Sequence, residues 1–365
     1  MKKASAEDAA QTARTPDPID IKNKGPIGNL LSPAPAKHQP LAGFDPVYTD
    51  IVDYIVRVTH RIWEEGDMGY IYDTYAHTCT VHTPYGTLYG VETMVANSVA
   101  FLAAIPDRKL FAEDVIWTGD DERGYLTSHL VMSLGTNTGY SPWGPPTYRR
   151  VGYFAVANCL VKRNLIVEEW LVRDNAGLLS QLGLDSAEVA ARTPRRRAPV
   201  TAGETDRLKG QLPPAPYTSA DGDDPCESVV RRFFHDVFNR RRFTTVRETH
   251  RADVHMFVPG HRELYGVNAV TAYLLGFLAM FSDGSAQLEQ LFKVGSEEGG
   301  FRVAVTWRFS GTHSHYGPFG PPTLGRVSTL AISHLHVKNN NIYKHFLVMD
   351  ELAIRQQLMS GEGAE

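Results

Sequence analysis

Apolar residues at Ile51, Tyr54, Ile55, Val58 and Ile62 recur at steps of three and four, which gathers them on one stripe of a helix beginning after Asp45. A short helix is predicted over Met68–Tyr75. Thr80-Val81-His82-Thr83 then reads as a strand, Gly86 and Gly90 as turns, and Glu92–Ile105 as a third helix stopped by Pro106. Beyond Pro106 the pattern becomes β-rich. The runs Phe111–Thr118, Tyr125–Leu134, Arg150–Val161 and Ile166–Val172 are separated by Gly119-Asp120, a Gly135–Thr147 loop and Lys162-Arg163-Asn164. Helices first and a meander last predict an α+β layer in which a bent, antiparallel-rich sheet curls around the helices, with an apolar pocket at the open end of the cone.

The whole pattern occurs twice. Leu88–Gly177 lies over Leu264–Ala353 at a constant offset without a gap, with about a third of positions identical. The second copy repeats the order: a helix over Cys226–Arg240, a strand near Val254–Val258, a helix over Asn268–Phe281 and four strands ending at Asp350. At 365 residues the chain has room for two such domains, and the expected division is an arm over 1–44 (mobile or lying on the surface), a domain over 45–186, a Pro/Arg-rich linker over 187–224 and a domain over 225–360. Two copies in one chain predict a built-in pseudo-dimer, with higher association left open.

Composition narrows the class. A formal charge of -4 with scattered basic residues argues against nucleic acid as a partner, and Arg195-Arg196-Arg197 reads as a solvated run in the linker. No apolar run approaches a membrane span and the polar start lacks an apolar signal core, so a cytoplasmic protein with a small-molecule substrate is expected. Cys79, Cys159 and Cys226 show no CxxC pairing and read as reduced thiols.

Two blocks carry a family resemblance. The first copy reads Gly135-Thr136-Asn137-Thr138-Gly139, Gly144-Pro145-Pro146-Thr147, Ile166-Val167-Glu168-Glu169-Trp170 with Asp174, and Gln181-Leu182-Gly183. The second reads Gly311-Thr312-His313, Gly320-Pro321-Pro322-Thr323, Phe346 with Asp350, and Gln357-Leu358. These resemble the motifs of SnoaL-like polyketide cyclases, also called predicted ester cyclases, within the nuclear transport factor 2-like superfamily. Asn137 stands where that family has His, Tyr148 and Leu324 where it has Gly, Phe346 where it has Trp, and Met359 where it has a final Gly. The resemblance implies two tandem cone-shaped α+β barrels and an aspartate general acid/base, matched here by Asp174 and Asp350.

The residues themselves leave alternatives open. Asp174 shares a strand face with Trp170, where loss of solvation would make it a better proton acceptor; Asp is equally suited to cap the helix starting at Asn175 or Glu351. His82 and His255, each one residue after a valine, are read as matching positions pointing into the cones, either catalytic or bonded to backbone. His129 lies on a mixed face with Tyr125, Thr127, Val131 and Ser133, and His313 stands opposite Asn137. Because histidine is concentrated in the second copy, that copy is slightly favoured for proton transfer. Tyr140, Trp143 and Tyr148, with Tyr316 and Phe319 opposite, could close over a flat substrate or bury a seam between the copies. Trp307 and His336 complete the candidate substrate contacts. His313 and His315 with His250 and His255 form the sharpest metal constellation, but no HExxH, Cys or paired-carboxylate spacing accompanies them, so no metal is expected.

Without nucleotide or metal motifs, the expected chemistry is cofactor-independent. A carboxylate abstracts a proton beside a carbonyl and His or Tyr donors stabilise the enolate, leading to cyclisation, dehydration or another lyase or isomerase outcome. The alternatives are a non-catalytic small-ligand or assembly module, or a hydrolase of an epoxide or ester.

Overall fold

The structure, a computed structural model, describes residues 19–31, 37–193 and 215–359. The Arg195–Arg197 run and parts of the expected arm and linker lie outside the described residues. After a short helix α1 (Ile27–Leu31), the first copy runs α2 (Ile51–Trp63), α3 (Ile71–Thr74), β1 (Tyr75–Thr83), β2 (Gly86–Tyr89), α4 (Val91–Ala104), β3 (Lys109–Asp120), β4 (Gly124–Thr136), β5 (Arg150–Lys162), β6 (Leu165–Arg173), α5 (Asn175–Leu182) and α6 (Ser186–Arg192). The second runs α7 (Pro225–Phe233), a π-helical turn over Phe234–Asn239, α8 (Thr244–Thr249), β7 (His250–Val258), β8 (Arg262–Tyr265), α9 (Val267–Met280), β9 (Ser285–Ser296), β10 (Gly300–Thr312), β11 (Arg326–Lys338), β12 (Asn341–Met349) and α10 (Glu351–Leu358).

Each copy folds into one open six-stranded sheet, in the orders β2-β1-β6-β5-β4-β3 and β8-β7-β12-β11-β10-β9. The sheets are mixed, because β1 runs parallel to β6 and β7 to β12 while the other neighbours are antiparallel. The α2 stripe is buried as the periodicity predicts, and Asp50 starts that helix by accepting a bond from the Asp53 amide at 2.9 Å. Leu41 and Phe44 also enter the first core, so apolar packing begins before Asp45.

Ladder register corrects one alignment. Val81 pairs with Leu88 and His82 faces Trp170, while Met256 pairs with Leu264 and Phe257 faces Phe346. His82 is therefore matched by Phe257, not by His255. The turn between the hairpin strands is one residue longer in the second copy, and this breaks the constant offset before Leu88.

Several side chains shared by the two copies clamp the sheet. Asp107 accepts bonds from the amide and hydroxyl of Thr136 (2.6 and 2.7 Å), and Asp283 does the same for Thr312 (2.6 and 2.8 Å). Gln181 bonds both the amide and carbonyl of Gly152, and Gln357 those of Ser328. Tyr148 and Leu324 adopt left-handed backbone (φ 57° and 54°), the conformation for which glycine is suited.

The two sheets pack against each other. Leu130, Phe154, Val156 and Val172 meet Leu330, Ile332, Phe346 and Val348 in one apolar seam. Polar ties flank it: Ser128 Oγ to His334 Nε2 at 2.6 Å, Asn158 Nδ2 to Thr306 Oγ1 at 2.7 Å, and Arg302 Nε to Asp114 Oδ1 at 2.7 Å. The intrachain pseudo-dimer is thus a sheet-to-sheet assembly. Among the described residues no helix is long and apolar enough to cross a membrane.

Candidate active site

In the first copy the sheet curls over α2 and α4 and leaves a cavity of ≈ 80 Å³. Its wall is mainly apolar, including Ile55, Val58, Ile62, Met94 and Leu171, with polar groups set at intervals: Thr59, Arg108, His129, Tyr153, Glu169 and Arg173. A second compartment of ≈ 280 Å³ shares Met94, Ser98, Leu171 and Arg173 with the first and reaches Tyr85, Asn175 and Asp350.

Glu169 is the carboxylate on the cone wall. Strand alternation turns it inward from β6 while Glu168 and Trp170 face the other way, and the Tyr75 hydroxyl donates to its Oε2 at 3.1 Å. Burial pushes its pKa up to about 7, against the opposing effects of the Tyr75 bond and the Arg173 charge. Across the cavity His129 is held neutral, burial lowering its pKa to about 4. The Thr59 hydroxyl donates to the Ile55 carbonyl at 2.7 Å, so the 3.3 Å contact between Thr59 and His129 Nδ1 calls for a proton on Nδ1. That tautomer leaves Nε2 a buried acceptor with no partner. Arg108 donates to the Tyr153 hydroxyl at 3.3 Å, leaving the phenol's own proton free for donation.

The corresponding volume in the second copy is filled. Val131, Ser133, Ser98 and Cys159 become Trp307, Phe309, Leu274 and Leu335, all buried in one cluster with Phe233, Phe234 and Phe281. Glu169 becomes His345 and Tyr75 becomes His250, since Tyr75 pairs with Ile166 as His250 pairs with Ile342. Burial lowers the pKa of both histidines, to about 4 for His250, so they serve as neutral packing groups against Phe233. The expectation that the histidine-rich copy is the better proton-transfer site runs against this packing.

Asp174 and Asp350 both cap helices and tie the copies together. Asp174 accepts from the Gly177 amide at 2.9 Å and from Gly260 and His261 of the second copy at 2.8 and 3.1 Å. A Cβ at position 177 would lie 2.5 Å from Asp174 Oδ2, which favours glycine at this place in the first turn of the helix. Asp350 accepts from Leu352 N at 3.0 Å and, from the first copy, Tyr85 Oη at 2.6 Å and Asn175 Nδ2 at 2.5 Å. Burial raises both pKa values, that of Asp350 to about 7.

The remaining candidates are dispersed. His82 bonds Glu168 at 2.8 Å and stacks on Trp170; His255 bonds Glu263 at 2.9 Å and stacks on Tyr265. His313 occupies the place of Asn137, and both organise the loop: Asn137 accepts from Thr147 N at 2.8 Å, His313 Nδ1 from Thr323 N at 3.4 Å. Tyr140, Tyr148 and Tyr316 are 77, 73 and 78 % exposed and line neither compartment. Trp143 packs beneath Phe101, Phe319 against His313 and Arg355, and Trp307 donates to Ser333 Oγ at 3.2 Å inside the second core. His336 lies in the seam between copies, 3.2 Å from Asp114. The four histidines of the metal alternative do not converge, and no cluster of three or more His, Cys, Asp or Glu suited to a metal occurs among the described residues.

Of the predicted site residues, His129 faces the cone and Asp350 the adjoining compartment. Sequence reasoning missed Glu169, Tyr75, Arg108, Tyr153 and Arg173. The available signal was the pairing of an inward strand position with a residue that the other copy does not keep.

The SnoaL-like polyketide cyclase family matches residues 54–182 and 228–358. Among solved structures, the chain is similar to a candidate SnoaL-like polyketide cyclase from Jannaschia sp. CCS1 (14% identity, 40% of this chain and 99% of that one, TM-score 0.35). It is also similar to IdmH of Streptomyces antibioticus, a candidate polyketide cyclase (25% identity, 36% of this chain and 98% of that one, TM-score 0.32). A third is AclR of Streptomyces galilaeus, a candidate hydroxylase (20% identity, 37% of this chain and 83% of that one, TM-score 0.33). Comparison with curated proteins gives no significant match. The two matched segments together span most of the sequence, one on each six-stranded sheet, and the chain belongs to the SnoaL-like polyketide cyclase family in two tandem copies.

Proposed function

We propose that this protein is an acid/base enzyme of cyclase type, acting on a small, partly apolar carbonyl compound without a cofactor, with its working site in the cone of the first copy. The observation that carries this reading is Glu169: a buried carboxylate, poised near neutral pH, on the wall of a largely apolar cavity and oriented by Tyr75 at 3.1 Å. In its ionised form Glu169 takes a proton from the carbon beside the carbonyl and becomes the neutral acid. The negative charge moves to the carbonyl oxygen, for which the Tyr153 hydroxyl is the donor at hand. His129 Nε2 accepts a bond from a substrate hydroxyl. Protonated Glu169 then returns its proton to the product, completing an aldol-type ring closure or assisting loss of water.

The test is exchange of the protons beside the ketone of 4-oxo-4-phenylbutanoate in deuterium oxide, followed by proton NMR. Wild-type protein should accelerate exchange and Glu169→Gln should not; absence of acceleration by the wild type would end the reading.

A second assignment has its own observation. Asp350, raised to about 7, lines the adjoining compartment, and the resemblance makes it the acid/base. Asp350→Asn abolishing exchange while Glu169→Gln retains it would favour Asp350. In either case Asp174, saturated by three backbone amides, is given the structural role.

A further inference from the structure

Two arginines on the cavity wall are unexplained by proton transfer. Arg108 is 4 % exposed, yet it has no carboxylate within ion-pairing distance among the described residues. Its Nη2 reaches the Tyr153 hydroxyl, and its buried Nε has no partner. The guanidinium lies over Phe101 and Trp63, 4.3 and 4.8 Å from the ring centroids, and Arg173 lies 5.0 Å from Phe101 with no ion pair among the described residues. Burial and the nearby Arg173 charge both disfavour the cationic form of Arg108.

Among the described residues the other deeply buried arginine is treated differently. Arg302, also 4 % exposed, bonds Asp114 at 2.7 Å and Asp20 at 2.7 and 2.9 Å. A buried cation left uncompensated is costly to a fold. The second copy dispenses with both cavity arginines: at the equivalent positions stand Gly284 and Met349, in the cone that aromatic side chains fill. The fold does not require these cations, and they occur where there is space for a ligand.

We propose that the first cone takes a substrate bearing a free carboxylate, seated against Arg108 with Arg173 beside it. This rests on reading that cone as the active site and adds the charge class of its substrate. A carboxylate matches the planar guanidinium edge with two parallel bonds and supplies the counter-charge that Arg108 lacks among the described residues. Glu169 does not fill this role: near neutral pH it is partly protonated, and its Oε2 is engaged by Tyr75.

The experiment compares 4-oxo-4-phenylbutanoate, its methyl ester and inorganic phosphate by calorimetry and thermal shift on the full chain. The acid should bind at least about tenfold tighter than the ester, the difference of a charge-assisted pair in a buried site. Arg108→Gln should erase the preference while still binding the ester, with circular dichroism checking the fold. If that variant does not fold, the acid-to-ester ratio on wild-type protein decides. Equal binding of ester and acid overturns the inference, as does a phosphate effect equal to that of the acid. The two readings fail separately: preferential binding of the acid without proton exchange sinks only the acid/base assignment, and equal exchange on ester and acid sinks only the carboxylate.

Discussion

Replacing Glu169 by Gln should make the protein more stable and less active, and the size of the gain follows from the titration of the buried carboxyl. Its pKa rises from 4.5 to about 7 on burial. Below pH 4.5 the group is protonated in folded and unfolded chains alike and carries no ionic penalty. Between 4.5 and 7 the folded state holds the extra proton, so stability falls as pH rises, and the penalty is complete above 7. A shift of this size corresponds to about 3 kcal/mol at pH 8. Glutamine is nearly isosteric, keeps an acceptor for Tyr75 and never ionises. Glu169→Gln should therefore raise Tm at pH 8 by roughly 4 °C, with little difference at pH 5. In parallel, the wild-type exchange rate should rise about tenfold per pH unit toward 7 and level off above it, a limb missing from the variant. Asp350 titrates in the same range but is present in both proteins, so it cancels from the stability difference. A Tm difference independent of pH, or exchange in Glu169→Gln within tenfold of wild type, would refute the reasoning.

Other expectations are simpler to state. Asp174→Asn should destabilise by about 2–3 kcal/mol in denaturant melts, because an amide NH₂ cannot accept from the Gly260 and His261 amides that now share Oδ2; unchanged stability would remove its role as a tie. Trp307→Val should cost about 3–5 kcal/mol by leaving a void in the second core, with exchange activity retained in folded protein; lost activity would place chemistry there. Asp114→Asn should weaken the seam. Burial alone would raise that carboxyl, but His334, His336 and the Arg302 charge hold it far below the ordinary range, so its contribution is full above about pH 3.9 and is lost only in strong acid; an unaltered acid melt would count against it. Leu324→Gly should stabilise by about 1 kcal/mol, since Leu324 is exposed and its left-handed backbone is strained; a loss instead would show that Leu324 packs.

The architecture was legible because it was written in periodicity. The α2 stripe, the Pro106 stop, the β-rich runs and the repeat all reflect local rules that burial reinforces. The parallel pairing of β1 with β6 was not legible, since strand alternation carries no direction and the contact is remote in sequence. The proposed site departs from the expected one for a physical reason. Identity between copies drew attention to Asp174, Asp350 and the Gly-Pro-Pro-Thr loops, which cap, clamp and tie, with Asp350 also lining the adjoining compartment. Residues common to both copies report what both copies need, which is the fold. Glu169 was overlooked because its counterpart is His345, and Arg108 because its counterpart is Gly284.

That divergence has an energetic logic. A cone that holds Glu169, Arg108 and an acceptor on His129 away from water, around unfilled space, is a poor folding core: each buried polar group without a full set of partners costs about 1–3 kcal/mol. A duplicated chain can separate the two demands. The second cone, packed with Trp307, Phe233, Phe234 and Phe309, gains apolar burial where the first sacrifices it, and the seam of Leu130, Val156, Leu330 and Ile332 joins the two. The second copy also contributes directly to the first, because Asp350 walls the adjoining compartment and its hairpin amides hold Asp174. It follows that the first copy alone, cut before Pro225, would keep Glu169 and Arg108 but expose the seam and lose Asp350. Such a fragment should aggregate or melt well below the full chain, and its failure would come from the missing partner rather than from any defect in the cone.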